Sequence, residues 1–402
     1  MLTQGWRKNL YSIWIAELLA TIAFQCFYPF VAYYIGELGV NRESEIAIWS
    51  GIIVASSGIS LALFSPFWGY LADRHGRKLM LLRAMFGGAV CVTLMAFSKS
   101  VYQLFFFRIL QGVFAGTIGA SIALVAMVVP ESSLGFSFSL LYTTIYLGSS
   151  IGPLVGGVIA DYFGYRTTLI FAGGLLFIGG LVVLGLVKED FRPDLSKENS
   201  SLSKINDGFK IVRSSKQLLV IVCLMFFAQY TNMVILPILP IYIQTLSKSA
   251  EHLVFKTGGI MAITGFISAI SGMMWGKLSD TRGKEKILVF IILSAGLVYF
   301  SQAIARNIAQ LIITRILLGI FIGGIEPIAN AMAGSFIPKK HRGKVYGVIS
   351  STRSFGNVAG AISGGLIASL LGVRATIIFT SVIFILMGLW IFTISKKIGI
   401  VI

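Results

Sequence analysis

Apolar residues run in stretches of about twenty or more, separated by short polar clusters, from one end of the chain to the other. A bilayer core about 30 Å thick needs roughly 20 helical residues at a rise of 1.5 Å each. The pattern predicts twelve membrane-spanning helices, at 11–36, 47–71, 79–97, 101–129, 133–160, 167–187, 217–244, 254–278, 286–305, 308–336, 344–371 and 375–395. These runs are longer than the roughly 9–11 residues of a barrel strand and do not alternate, so a β-barrel is excluded. The first run has no small-residue cleavage site and is read as a span, not as a removable leader.

The polar clusters carry an internal repeat. "GYLADRHGRK" begins at Gly69 and "GKLSDTRGKE" at Gly276, 207 residues later. "RILQGVFAG" from Arg108 faces "RILLGIFIG" from Arg315 at the same offset, and "GSSIGPLVGG" from Gly148 faces "GNVAGAISGG" from Gly356 at 208. Three motifs in one order at one spacing indicate duplication of a six-span unit. Between the copies, Lys188 to Lys216 is the least apolar segment of any length, rich in charge, Ser, Asn and Pro. It is expected to be a cytoplasmic linker, with a short amphipathic helix near Ile205–Val212, joining bundles at 1–187 and 217–402. The expected fold is therefore an all-α membrane protein, with twelve transmembrane helices in two pseudo-symmetric six-helix bundles.

These motifs make the chain resemble the major facilitator superfamily, and within it the twelve-span drug:proton antiporter branch. The resemblance covers essentially the whole chain. It implies secondary active transport by alternating access, with proton-coupled efflux of small amphipathic or cationic compounds. It also implies that no cofactor is needed beyond a proton gradient. The loop of Gly69, Asp73, Arg74, Gly76, Arg77 and Lys78 would lock the cytoplasmic side, with Asp73 against the positive N-terminus of span 11 near Gly343. Asp280 would do the same at span 5 near Gly135, and Gly69 and Gly76 would permit tight turns and close helix approach. Gly148, Gly152, Pro153, Gly156 and Gly157 match the family's antiporter motif, are expected to pack against span 8, and would seal the outer side. The second copy has Ala361 in place of the proline.

Charge fixes the expected orientation. Of the 33 Lys and Arg residues, 23 lie at the termini and in the alternate loops 2–3, 6–7, 8–9 and 10–11. Seven lie in the opposite loops and three inside spans. This positive-inside distribution places both termini in the cytoplasm of a plasma (bacterial inner) membrane protein. It assigns the net charge of +17 to topology and anionic lipid, not to nucleic acid. The three cysteines lie inside spans and the three histidines in or beside loops without ligand spacing. Neither a metal site nor catalytic chemistry is expected, and the protein is read as a monomer with no enzymatic activity.

Ionisable residues within spans are costly and mark function. Glu326 and Arg353 lie at similar depth on spans 10 and 11 and are expected to pair, either as a switch or as a permanent strut. Arg315 lies 11 residues before Glu326, which on an unbroken helix gives them one face. Arg108, near the outer end of span 4, is expected to reach water, and by the resemblance is linked to proton transfer. Glu17 shares a face of span 1 with Thr21, Phe24 and Tyr28, and either faces a cavity or pairs with Arg7 or Lys8 at the interface. Glu326, Glu17 and Arg108 are the candidates for proton coupling. Phe24, Gln25, Tyr28, Tyr142, Tyr146, Gln229, Tyr230, Asn232 and Asn330 are candidates to line the substrate cavity. The competing readings are a transporter of one metabolite, such as an organic anion or amino-acid derivative held by Arg353, and a lipid flippase or non-transporting receptor on the same fold.

Overall fold

The computed structural model describes residues 5–130, 133–189, 209–247, 252–337 and 342–398. The described residues are helical throughout, without strands. Eleven helices are long and apolar enough to cross a membrane. One of them, Leu134–Leu186, is two spans joined across Gly164, whose φ of 84° lies outside the helical region. Division there gives the twelve expected spans. They are α1 (Trp6–Glu37), α2 (Glu43–His75), α3 (Arg77–Met95), α4 (Val101–Val128), α5 (134–163) and α6 (165–186) in the first half. The second half holds α7 (Lys216–Ile235), α8 (Leu253–Arg282), α9 (Lys284–Ala303), α10 (Ile308–Phe336), α11 (Arg342–Leu371) and α12 (Val373–Ile398). Of the expected linker helix, the described part, 209–214, is helical.

The duplication extends to details of hydrogen bonding. α4 starts at a reciprocal cap: the N-cap Ser100 accepts from the Gln103 amide, while the Gln103 side chain accepts from the amide of Lys99, one residue before the cap. α10 repeats it with Asn307, Gln310 and the Arg306 amide. The Tyr34 hydroxyl donates to the Met95 carbonyl at 2.9 Å, and its counterpart Tyr242 to Gln302 at 2.7 Å. Gly76 and Gly283, with φ of 94° and 92°, make the turns that open α3 and α9.

Several spans are discontinuous. α1 passes through a 3-10 turn at Tyr28–Phe30, and α7 stops at Ile235 before a short helix, Leu239–Leu246. α4 breaks between Val101–Phe114 and Thr117–Val128, where Ala115 is extended and Gly116 has φ 112°. α10 breaks at the corresponding place, between Ile308–Ile322 and Ile325–Phe336. Broken membrane helices expose backbone groups that must find other partners, and they persist only where protein or a cavity supplies them.

Among the described residues, contacts define two compact units. One comprises Met1–Val40, Ser56–Glu198 and Glu251–Ala262; the other comprises Asn41–Ala55, Asn199–Ala250 and Ile263–Ile402. Each unit thus takes one helix end from the other half of the sequence. In the first, Gly258 at the start of α8 lies so close to α5 that a Cβ there would stand 2.2 Å from the Pro153 carbonyl oxygen. In the second, a Cβ on Gly51 of α2 would stand 2.4 Å from the Ala361 carbonyl oxygen of α11. Small residues permit both approaches.

Candidate functional site

Glu17 is completely buried in α1. Its Oε1 accepts from the Thr117 hydroxyl at 2.9 Å and its Oε2 from the Ser121 hydroxyl at 2.8 Å. Both hydroxyls belong to the second piece of α4, just past the break, where the helix N-terminus carries partial positive charge. The expectation of a cavity-facing Glu17, or of one paired with Arg7 or Lys8, gives way to an enclosed carboxyl held by two neutral donors. The physical reason is the break in α4, which turns the Thr117–Ser121 face onto α1. Sequence reading missed Thr117 and Ser121. Their signal was the "AGT" that follows the α4 motif, a glycine followed by a hydroxyl residue.

Arg108 is buried, not open to water as expected, because the Tyr28 ring covers it, with its centroid 5.0 Å from the guanidinium carbon. The structure brings Tyr28 and Arg108 together, but it pairs Glu17 with hydroxyls and not with Arg108. Thr21 turns toward α5, where its hydroxyl donates to the Thr144 carbonyl.

The packing of α5 differs from expectation. Gly148, Gly152 and Gly156 lie against Thr21, Gln25 and Cys26 of α1, and only Gly157 lies against α8, at Val254, Phe255 and Gly258. The glycines at 148, 152 and 156 recur every four residues and form one stripe, and that stripe faces α1. Gln25 is therefore a packing partner of Gly152. Phe24 and Tyr28 are half-buried, whereas Tyr142 and Tyr146 are exposed.

In the second unit Arg353 donates to Glu326 Oε1, as the depth argument predicts. Gln229 of α7 donates to the same oxygen at 2.9 Å. The pair is partly open, with side-chain exposures of 26% for Arg353 and 34% for Glu326. Glu326 occupies the first turn of the second piece of α10, where a carboxylate suits the helix dipole. Beside Gln229 on α7, Phe226 and Tyr230 stack with centroids 5.9 Å apart, and Phe355 of α11 adds a third ring 6.1 Å from Phe226. Ser363 holds the Tyr230 hydroxyl at 2.8 Å. Asn232 is exposed, and Asn330 takes part through its backbone carbonyl, which accepts from Tyr346. Arg315 does not share Glu326's surroundings. It is buried beside Tyr299 and Tyr242, because the interruption at Gly323–Gly324 invalidates the unbroken-helix count.

At the loop between α2 and α3, Gly76 makes the expected turn. Gly69 does not mediate a close approach: it lies inside α2, with nothing within 4 Å of an added Cβ, because the helix runs on to His75. Arg74 lies over the Tyr70 ring at 4.5 Å. The amides of Arg77 and Lys78 donate to the two carboxylate oxygens of Glu189 at 2.9 and 2.8 Å, and the Lys78 ammonium donates to the Leu184 carbonyl. Asn9 clasps the neighbouring Lys188 backbone through both its amide and its carbonyl. Glu189 is a helix cap that sequence reading missed, since it stands 112 residues from Arg77. Asp280 is exposed at the end of α8. The side chains of Asp73 and Gly343 lie outside the described residues.

Comparison with known proteins agrees with this architecture. The sequence profile described as Major Facilitator Superfamily matches residues 13–309 and 291–398. The chain is 32% identical over 382 residues to the multidrug resistance protein MdtG of Proteus mirabilis, covering 94% of each. It is 34% identical over 379 residues to the multi-drug resistance efflux pump PmrA of Streptococcus pneumoniae, covering 94% of this chain and 93% of that protein. Among solved structures, an inward-facing, occupied bacterial homolog of the human lysosomal transporter Spinster superposes with a TM-score of 0.83 at 12% identity, over 98% of both chains. The nucleoside transporter NupG superposes with a TM-score of 0.79 at 13% identity, over 96% of this chain and 99% of that one.

Proposed function

Given that the chain belongs to the Major Facilitator Superfamily, a family of multi-pass membrane transporters, we propose that it exports small amphipathic, cationic or neutral compounds in exchange for protons. It would work by alternating access as a monomer in the bacterial inner membrane, with both termini cytoplasmic and basic loops against anionic lipid. The names of MdtG and PmrA support drug efflux, at identities above 30% over nearly the whole chain.

One observation carries the proton coupling: a fully buried carboxyl whose partners, among the described residues, are two hydroxyls and no cation. An ionised carboxylate sealed from water without a counter-ion is costly. The neutral acid fits the same place, donating to one hydroxyl and accepting from the other. Such a group takes up a proton from the side that reaches it and releases it when the other side opens. The second half has Met225 at the corresponding position, by the same offset of 208 that relates Tyr34 to Tyr242, so the exchange is confined to one half.

The Glu326–Arg353–Gln229 cluster, half-open beside three aromatic rings, supplies a separate place for substrate. Its carboxylate attracts a cation, and the rings bind the apolar body of an amphipathic molecule. An organic anion would have to displace Glu326 from Arg353, just as a cation would have to displace Arg353 from Glu326. What favours the exporter reading is the group of three rings beside the pair, which suits an amphipathic body. Arg353→Lys, which keeps the charge without the planar fork, is expected to leave efflux of cationic and neutral compounds within about threefold of wild type, while Glu326→Gln raises the half-saturating concentration of cationic compounds about tenfold. Uptake assays on the two variants with matched cationic and neutral compounds check this.

The test of the function uses inside-out vesicles with an acid interior and a pH-sensitive dye. Lipophilic cations, then neutral and anionic compounds, are added to vesicles with and without the protein. Dissipation of the gradient by cations or neutral compounds only in the presence of the protein supports antiport. Dissipation by anions alone, or by nothing in the panel, overturns it.

A further inference from the structure

Trp68 immediately precedes Gly69, and Trp275 immediately precedes Gly276, at the same offset of 207 that relates the two halves. Both indoles do the same thing. The Trp68 N–H donates to the Val113 carbonyl at 2.7 Å, and the Trp275 N–H to the Ile320 carbonyl at 2.6 Å. Each carbonyl lies just before the break in its helix, α4 or α10. In a continuous helix the Val113 carbonyl would accept from the amide four residues on, which is that of Thr117. Thr117 is the residue whose hydroxyl holds Glu17.

The indole is itself held. Phe114 lies beside it with centroids 6.3 Å apart, and the Arg83 guanidinium covers it at 4.0 Å. Arg83 also donates to the carbonyl of Ala115, the extended residue at the break. Two side chains, one from α2 and one from α3, thus satisfy carbonyls that the interruption of α4 leaves without helical partners. In the second unit Phe321 repeats Phe114, while Phe290 replaces Arg83 and Gly324 replaces Thr117. The supported break is common to both halves; the hydroxyl that meets a carboxylate is present only in the first.

We propose that Trp68 is a positioning residue for Glu17: its indole N–H takes the Val113 carbonyl at the break in α4 and so frees Thr117 to turn its hydroxyl onto the carboxyl. The proposal rests on the reading of Glu17 as the proton carrier. It ties the loop-bearing helix α2 to the proton site through one hydrogen bond, so that a shift of α2 along α4 alters the donors around Glu17. Without the N–H, the Val113 carbonyl regains a partner by rewinding toward Thr117, and the carboxylate loses a donor.

The test is the pH profile of drug-driven proton flux in vesicles bearing full-length Trp68→Phe. The expected result is that the pH of half-maximal transport rises by about half a unit or more, as loss of one donor to a carboxylate requires. Thr117→Val is expected to produce a similar rise, and the double variant no more than either alone, since both act through one hydroxyl. Trp275→Phe is expected to leave the midpoint in place. A wild-type midpoint in Trp68→Phe, an equal rise in Trp275→Phe, or additive shifts in the double variant overturns the proposal. Trp68→Leu, which also lacks the donor, serves if Trp68→Phe does not accumulate. Failure of both to fold overturns a positioning role in favour of a purely structural one. Glu17→Gln separates the two levels. If it retains the wild-type pH dependence, Glu17 is not the carrier. If it abolishes that dependence while Trp68→Phe leaves the profile untouched, only the role of Trp68 falls.

Discussion

Glu17→Gln is expected to reduce drug-driven proton movement to the level of protein-free vesicles while leaving the transporter folded. The side chain keeps its shape, and its amide can donate to one of the Thr117 and Ser121 hydroxyls and accept from the other, so no buried polar group is orphaned. What is lost is the ability to change charge. Glu17→Asp keeps that ability but draws the carboxyl back by one methylene, and is expected to retain partial flux. Cells expressing Glu17→Gln should be as sensitive to exported compounds as cells without the protein, at equal amounts in the membrane. Undiminished exchange by Glu17→Gln would move the coupling to the other intramembrane carboxylate, Glu326, whose contact with Arg353 leaves it partly open.

The largest expected effect on folding comes from a single methyl group. Gly156→Ala places a Cβ 2.0 Å from the Cys26 carbonyl oxygen, 2.6 Å from its carbon and 2.7 Å from its Cα. All three are backbone atoms of α1, which no side-chain rotation can move aside. α1 and α5 must separate, and with them the neighbouring contacts of Gly152 with Gln25 and Gly148 with Thr21. Overpacking of this kind costs about 1–3 kcal/mol and occasionally more, and with backbone on the receiving side the upper end is expected. Gly119→Ala is the control, since nothing lies within 4 Å of its Cβ position. Thermal unfolding in detergent and the yield of monodisperse protein should fall sharply for Gly156→Ala and stay at wild type for Gly119→Ala.

The twelve helices and the internal repeat were legible because their signals are one-dimensional: run length, spacing and motif order. The Glu326–Arg353 pair was legible for a related reason. Glu326 stands 13 residues before Lys339 and Arg353 13 after Lys340, so counting outward from between α10 and α11 placed them at one depth. Counting failed wherever a helix was broken. The interruption at Gly323–Gly324 separated Arg315 from Glu326, and that at Ala115–Gly116 turned Thr117 and Ser121 toward Glu17. Glycine is common in membrane helices and packs closely in most of its positions here, so its presence did not mark which one carries φ 112°. The α5 stripe was legible as a packing face, but its partner was not, because two different helices can meet a row of glycines equally well. Glu189 was out of reach for a simpler reason: a cap supplied from 112 residues away leaves no local pattern.

That distance also sets a schedule for synthesis. The two amides that open α3 are emitted early by the ribosome, and the carboxylate that satisfies them comes 112 residues later. At a translation rate of about 5–20 residues per second, the interval is roughly 6–22 s. For that time the hairpin between α2 and α3 sits at the membrane surface with its turn capped only by water or by lipid phosphate. Lys188 and Glu189, clasped by Asn9 and by the start of α3, then tie the end of α6 to the starts of α1 and α3. Glu189 thus joins the end of the first repeat to its own beginning, and a chain ended just before it would leave the two amides that open α3 without their carboxylate.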